Sequence, residues 1–147
     1  MRVSISGTHS TGKSTLFDGL KKDSFFNECE FVAGPTRFLQ QQGYPINNHA
    51  DNYDSTQLMC LVYDLQVFED TKLKDIIVSD RCLLDTYVYT KYLFKKGKVS
   101  EPVFLSVEKV WLAKKDSYDV FFLPSKNEVP LVADGVRSED ENFRNEI

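Results

Sequence analysis

The chain alternates between short apolar runs typical of strands and longer stretches with helical spacing. Residues 2–6 alternate with period two and carry β-branched side chains on one face, which predicts a strand. Residues 75–80 form a nearly continuous apolar run, as expected for a strand buried on both faces of a parallel sheet. Residues 30–33 form a shorter run that ends at Gly34, and residues 118–123 form another run that ends before Pro124. The pattern therefore predicts four strands.

The segments between these strands repeat apolar residues every three or four positions, which predicts helices. We expect a first helix over 14–22, a short one over 36–42, a long one opened by Asp54, one over 83–96 and one capped by Ser100. The predicted core-facing stripes are Leu58, Leu61, Val62, Leu65 and Phe68 in the long helix, then Leu84, Tyr87, Val88 and Tyr92, then Val103, Phe104, Val107, Val110 and Trp111.

Alternating strands and helices predict an α/β fold with an open parallel sheet and helices on both faces. In such sheets the ligand binds at the carboxyl ends of the strands. Gly7, Gly34 and Asp80 each lie at or just past such an end. The residues beside them are therefore the candidates for ligand binding and catalysis.

A phosphate-binding loop follows the first strand. The pattern is a glycine, four free positions and then Gly-Lys-Ser. Glycines let the loop aim backbone N–H groups at a phosphate chain, and the helix N-terminus adds a partial positive charge. Lys13 should contact the outer phosphates and the Ser14 hydroxyl should bind Mg²⁺. We expect nucleotide binding by Gly7, Thr8, His9, Ser10, Thr11, Gly12, Lys13, Ser14 and Thr15.

Asp80 is the last residue of the run at 75–80, and Arg81 follows it directly. A carboxylate at that point can hold Mg²⁺, and an arginine beside it can reach the transferring phosphates. The alternative interpretation is an ion pair on the surface at the end of a strand. Given the phosphate loop, we predict catalytic roles for Lys13, Asp80 and Arg81, with Ser14 and Asp80 at the metal.

Three further polar residues have both a functional and an ordinary interpretation. Arg37 can clamp an acceptor phosphate, or it can be a surface charge. Gln57 can contact the acceptor base, or it can complete a capping box with Asp54. Arg137, with the hinge freedom of Gly135 nearby, can act in catalysis from a lid that closes over the phosphates, and we prefer it to Arg144 for this role; the ordinary interpretation is a solvated, charged start of a helix.

Composition narrows the function classes. The chain has 147 residues, 41% of them hydrophobic, which suggests one domain over 1–147. The net charge of −4 provides no basic field for long nucleic acids, and no apolar run is long enough for a membrane span. Three widely spaced cysteines fit neither a disulfide framework nor a zinc site. These features predict a cytoplasmic protein.

The residues also carry a family resemblance. Gly7–Ser14, Pro35-Thr36-Arg37, Thr56-Gln57, Asp80-Arg81 with Leu84-Asp85, and Asp134-Gly135-Val136-Arg137 resemble a branch of small P-loop nucleoside and nucleotide kinases. That branch includes nicotinamide-riboside-kinase-like ATPase domains and phage-encoded small kinases.

The resemblance implies a three-layer P-loop NTPase sandwich with sheet order 2-3-1-4, and ATP with Mg²⁺ as cofactors. It places Arg37 and Gln57 at the acceptor, Asp80 at the metal and Arg137 in the lid. Related kinases carry a glutamate where this chain has Gly34. They also continue beyond the lid, so we expect the domain to be incomplete at its C-terminus.

The leading hypothesis is an ATP-dependent phosphotransferase that acts on a small nucleoside or nucleoside monophosphate. The rival is a regulatory module that binds ATP with little turnover. A signalling GTPase lacks support, because the guanine-reading Asn-Lys-x-Asp element is absent from the sequence.

Overall fold

The computed structural model describes residues 1–9, 11–44 and 52–125. Within them, four parallel strands form one sheet in the order β2-β3-β1-β4. The strands are β1 (Arg2–Ile5), β2 (Glu30–Val32), β3 (Ile77–Asp80) and β4 (Val120–Phe122). The predicted sheet order 2-3-1-4 and the α/β fold class are confirmed.

Five helices connect and cover the strands. They are α1 (Lys13–Lys22), α2 (Pro35–Gln41), α3 (Tyr53–Asp70), α4 (Leu83–Lys95) and α5 (Glu101–Lys114). Short 3₁₀ turns at Ser24–Phe26 and Lys115–Ser117 were not predicted. None of the helices in the described ranges is both long and apolar enough to cross a membrane.

Each face of the sheet has its own apolar core. On one face, Phe17 of α1 packs on Ile5 and Val78, with Phe31 at its edge. On the other, Leu61, Leu83 and Val107 join α3, α4 and α5. This division follows from the pleat, because successive side chains of a strand point to opposite faces.

The start of α3 differs from the prediction. The helix begins at Tyr53, and the Asn52 side chain caps it by accepting a hydrogen bond from the Ser55 N–H at 3.0 Å. The capping box of Asp54 and Gln57 is therefore wrong. The Asp54 carboxylate instead accepts a 2.7 Å hydrogen bond from the Ser100 N–H and ties α3 to the start of α5.

Two of the predicted apolar stripes are also partly wrong. Leu58 and Val62 of α3 are exposed, at 39% and 63%. In α4 the buried positions include Leu83, Thr86, Thr90 and Leu93 rather than Leu84, Tyr87, Val88 and Tyr92. Two of these buried residues are threonines, so a hydrophobicity pattern does not detect them. Their burial is tolerated because each hydroxyl has a partner on α3.

Those partners are Gln57 and Asp64. Thr90 Oγ1 donates to Gln57 Oε1 at 2.8 Å, and Thr86 Oγ1 donates to Asp64 Oδ2 at 2.6 Å. All four side chains are buried. A pair of hydrogen bonds, about two helical turns apart on α3 and about one turn apart on α4, therefore joins the two helices.

Candidate active site

The phosphate loop connects β1 to α1, as the sequence predicts. Gly7 and Gly12 adopt φ values of 125° and 76°, a region that favours glycine. Gly12 is the N-cap of α1, so the helix begins at Lys13 and its first N–H groups face the loop. The conformation is the one that phosphate binding by backbone N–H groups requires.

Lys13 lies across this loop and is buried. Its ammonium donates to the Thr8 carbonyl and, at 3.0 Å, to Thr11 Oγ1. Thr11 Oγ1 also donates to the Thr8 carbonyl, at 3.1 Å. The charge is thus held inside the loop, where a phosphate chain would meet it.

The remaining predicted loop residues differ in their surroundings. His9 is buried and its Nδ1 lies 3.5 Å from Thr8 Oγ1, which fits packing within the loop. Thr15 is exposed on the first turn of α1. Ser10 lies outside the described residues.

Asp80 is the last residue of β3, and its carboxylate contacts Ser14 at the end of the phosphate loop. Its Oδ2 accepts a 3.3 Å hydrogen bond from Ser14 Oγ, while Arg37 Nε lies 4.0 Å from the same oxygen. Its Oδ1 is buried and has no hydrogen-bond partner in the part of the chain that the structure describes. A buried carboxylate oxygen without a donor is an unfavourable arrangement unless a cation or water completes it.

The donor set fits Mg²⁺. A hydroxyl and a carboxylate are hard oxygen ligands, and Mg²⁺ takes one or two of these together with water and substrate phosphates. Among the described residues, no three His, Cys, Asp or Glu side chains gather closely enough to form a cage made only of protein groups. Ser14 and Asp80 are therefore the residues that would hold the ion.

Arg81 has a constrained position beside Asp80. Its φ of 75° is the only positive value among the non-glycine residues described, and such backbone conformations cluster at functional sites. Its Nη1 lies 3.8 Å from Asp85 Oδ1, and its guanidinium lies 5.1 Å from the centre of the Tyr89 ring. The side chain is only 19% exposed, so its direction is well defined.

The structure brings together most of the predicted site. Asp80 and Arg81 lie at the end of β3, Ser14 and Arg37 approach the Asp80 carboxylate, and Lys13 directly precedes Ser14 at the start of α1. Gln57 lies instead between α3 and α4, where its Oε1 accepts a hydrogen bond from Thr90. Arg137 and Arg144 lie outside the described residues, so the lid stays a prediction.

Gly34 packs against this site more closely than a side chain permits. A Cβ built on Gly34 would lie 2.4 Å from the Asp80 carbonyl oxygen and 3.2 Å from Arg81 Cβ. The contact arises because β2 and β3 are neighbouring strands, and the residues that follow them lie side by side at the same edge of the sheet. The sequence alone does not show this crowding, since residues 34 and 80 are distant along the chain.

We expect Gly34→Ala to destabilise the protein. The new methyl group meets a backbone carbonyl that cannot rotate away, and overpacking of this kind typically costs about 1–3 kcal/mol. Urea unfolding followed by fluorescence measures the change. Gly19→Ala is the matched control, because Gly19 lies inside α1 with nothing within 4 Å of an added Cβ. That control should gain stability, by about 1 kcal/mol or less, and equal effects at both positions would contradict the packing described for Gly34.

Two buried carboxylates were not predicted as site residues. Asp85 accepts hydrogen bonds from the N–H groups of Gly7 at 3.0 Å and Cys82 at 3.1 Å. The Cys82-x-x-Asp85 spacing is that of a capping box, and this was the available signal. Asp64 on α3 carries no such signal, because an aspartate inside a helix pattern indicates a solvated face.

The pKa of Asp64 is raised to about 7, chiefly by burial. The Thr86 hydrogen bond lowers this pKa, and the charge of Asp85 contributes to raising it. A carboxyl group whose pKa is higher in the folded than in the unfolded state stabilises the fold below its unfolded pKa. This stabilisation is lost as the pH rises through the folded value. The free energy of unfolding should therefore fall between about pH 4 and pH 7.

Asp64→Asn tests this pH dependence. The amide keeps an acceptor for Thr86 but does not titrate, so the variant should lose the decline. A rise in the Asp64 pKa from 3.8 to about 7 corresponds to a total fall of on the order of 4 kcal/mol in the free energy of unfolding as the pH rises through this interval. Urea unfolding at several pH values measures it, with Asp70→Asn, an exposed residue at the end of the same helix, as control. Parallel pH profiles for wild type and Asp64→Asn would contradict the assignment.

The sequence also matches a known protein family. An AAA domain family model matches residues 2–147. The chain belongs to the AAA domain family. No curated protein matches it.

A solved structure extends the comparison to the three-dimensional fold. The AAA domain resembles deoxyadenosine kinase from M. mycoides, solved with the products dCMP and a flexible dCDP, with a TM-score of 0.55 and 17% sequence identity. The match covers 82% of this chain and 62% of the kinase, so the chain spans less than two thirds of that relative. At this identity the likeness shows the fold, which is that of a P-loop nucleotide kinase. The nicotinamide-riboside-kinase-like branch stays a prediction.

Proposed function

We propose that this AAA domain is an ATP-dependent phosphotransferase whose acceptor is a small nucleoside or nucleoside monophosphate. One observation carries the proposal: Asp80 lies between Arg37 and the phosphate loop, with Oδ2 accepting from Ser14 and a buried Oδ1 that has no hydrogen-bond partner among the described residues. The fold, which is kinase-like, supports the same activity.

Each group has a distinct task in this mechanism. The loop N–H groups and the start of α1 bind the phosphates of ATP, and Lys13 adds its charge at the β- and γ-phosphates. Ser14 and Asp80 would hold Mg²⁺, which when bound would neutralise charge on those phosphates. Arg81, held between Asp85 and the Tyr89 ring, would stabilise charge on the transferring group, with the acceptor positioned for in-line attack.

The surroundings of Gly34 favour a nucleoside monophosphate over a free nucleoside. The resembling kinases place a glutamate there to take the proton of an attacking hydroxyl, and loss of a positioned base typically reduces the rate by about 10²–10⁴-fold. The crowding at Gly34 excludes such a side chain here. A monophosphate attacks through an oxygen that is already anionic, and Arg37, a half-exposed cation beside Asp80, would bind its phosphate.

The rival function is regulatory nucleotide binding with little turnover. The missing side chain at position 34 favours it, because a site without a base is slow with hydroxyl acceptors. The two functions make different predictions about acceptors, since a regulatory module releases ADP at the same rate whether or not an acceptor is present.

An assay of ADP release across nucleosides and their monophosphates tests the proposal. We expect stimulation by at least one acceptor, with monophosphates preferred. Arg37→Ala should raise the KM for a monophosphate more than it lowers kcat. Lys74→Ala, which removes another surface cation paired with a carboxylate, Glu30, should leave both values unchanged. Tight ATP binding without stimulation by any acceptor would favour the regulatory module.

A further inference from the structure

Asp85 makes contacts that capping of α4 alone does not require. The cap uses Oδ2, which accepts from the Cys82 N–H at 3.1 Å. The other oxygen, Oδ1, accepts from the Gly7 N–H at 3.0 Å and lies 3.8 Å from Arg81 Nη1. One buried carboxylate thus contacts the start of the phosphate loop, the N-cap of α4 and the site arginine.

These contacts constrain two parts of the site. Gly7 has a φ of 125°, and glycine at this position is free to change its peptide orientation. A charge-assisted bond from its N–H to a buried carboxylate selects one orientation. Arg81 lies between the same carboxylate and the Tyr89 ring, so Asp85 also sets the direction of the guanidinium.

We propose that Asp85 is a positioning residue that holds the phosphate loop and Arg81 in one mutual arrangement. The inference rests on the proposed function for its effect on turnover, but its effect on ATP affinity does not depend on an acceptor. Asp85 does not touch the reacting atoms. It acts through Gly7 on nucleotide binding and through Arg81 on phosphoryl transfer.

Asp85→Asn is the direct test. The amide has a single acceptor oxygen, so it cannot serve the N–H groups of both Gly7 and Cys82, and it carries no charge for Arg81. We expect the Kd for ATP, measured by calorimetry, to rise roughly tenfold or more, as for loss of a hydrogen bond to a charged group. Turnover with an acceptor should fall as well.

Asp119→Asn is the matched control. The Asp119 carboxylate accepts a 2.6 Å hydrogen bond from the Arg2 N–H at the start of β1, just as Asp85 accepts one from Gly7, two residues past the end of that strand. Both variants should lower the melting temperature, but only Asp85→Asn should weaken ATP binding. Equal ATP affinities for wild type and a folded Asp85→Asn would overturn the proposal.

A double-mutant cycle with Arg81→Lys separates positioning from general stability. If Asp85 acts through Arg81, the Arg81→Lys change should reduce turnover by less than about threefold once Asp85 has been replaced, against its full effect in wild type. Additive effects would contradict action through Arg81. If no acceptor stimulates the wild-type protein, the proposed function fails, and the ATP affinities alone still decide whether Asp85 positions the loop.

The wild-type protein offers a measurement that does not depend on the folding of a variant. Amide hydrogen exchange followed by NMR should show the Gly7 N–H protected in the nucleotide-free protein. Exchange at the rate of an unbonded amide would overturn the proposal.

Discussion

Lys13→Ala is expected to abolish phosphoryl transfer and to weaken MgATP binding sharply. The variant removes the cation that lies inside the phosphate loop, and a single cation over the transferring phosphates contributes on the order of 10³-fold or more to the rate. Calorimetric titration with MgATP and an ADP-release assay measure the two effects. The fold should persist, because Lys13 lies at the junction of the loop and α1 and contributes little to the apolar core, while its ammonium bonds to the Thr8 carbonyl and the Thr11 hydroxyl.

Lys22→Ala is the matched control for this experiment. Lys22 is exposed in the last turn of the same helix, α1, and its loss should leave ATP affinity unchanged. If Lys13→Ala binds MgATP as tightly as the wild-type protein, the phosphate-loop assignment is wrong, whatever the acceptor.

Asp80→Asn should separate nucleotide binding from turnover. The amide can still accept the Ser14 hydrogen bond, so most ATP binding through the loop is retained. The charge that faces Mg²⁺ is lost, and removal of one group that stabilises charge in the transition state typically reduces kcat by about 10²–10³-fold. Steady-state kinetics at saturating Mg²⁺ and ATP measures the change.

Asp75→Asn controls for the general effect of removing a carboxylate. Asp75 is exposed just before β3, whereas Asp80 is buried at its end, so the control should retain full activity. Wild-type turnover in Asp80→Asn would mean that the carboxylate belongs to a structural ion pair with Arg37 and not to the metal site.

The strands and the phosphate loop were predictable because each depends on local sequence. Period-two alternation and apolar runs locate β1 and β3, and the glycine spacing around Lys13 specifies the loop chemistry without knowledge of distant residues. The grouping of Asp80 with Ser14 was also predictable, because carboxyl ends of neighbouring parallel strands meet at one edge of the sheet.

The features that were missed depend on which elements become neighbours. The crowding of Gly34 by Asp80 follows from the adjacency of β2 and β3, and the bond from Gly7 to Asp85 joins residues 78 positions apart. The polar face of α4 was missed for a similar reason, since Thr86 and Thr90 become suitable for burial only when α3 supplies Asp64 and Gln57.

Detection of the phosphorylated acceptor tests the proposed phosphotransferase activity most directly. The protein is incubated with MgATP and either a nucleoside or its monophosphate, and the acceptor is then analysed by mass spectrometry for one added phosphoryl group. We predict that this product forms with a monophosphate, and that it forms more slowly or not at all with the corresponding nucleoside. The Lys13→Ala variant should form no product with either acceptor. ATP consumed or tightly bound with no phosphorylated product from any acceptor would contradict it.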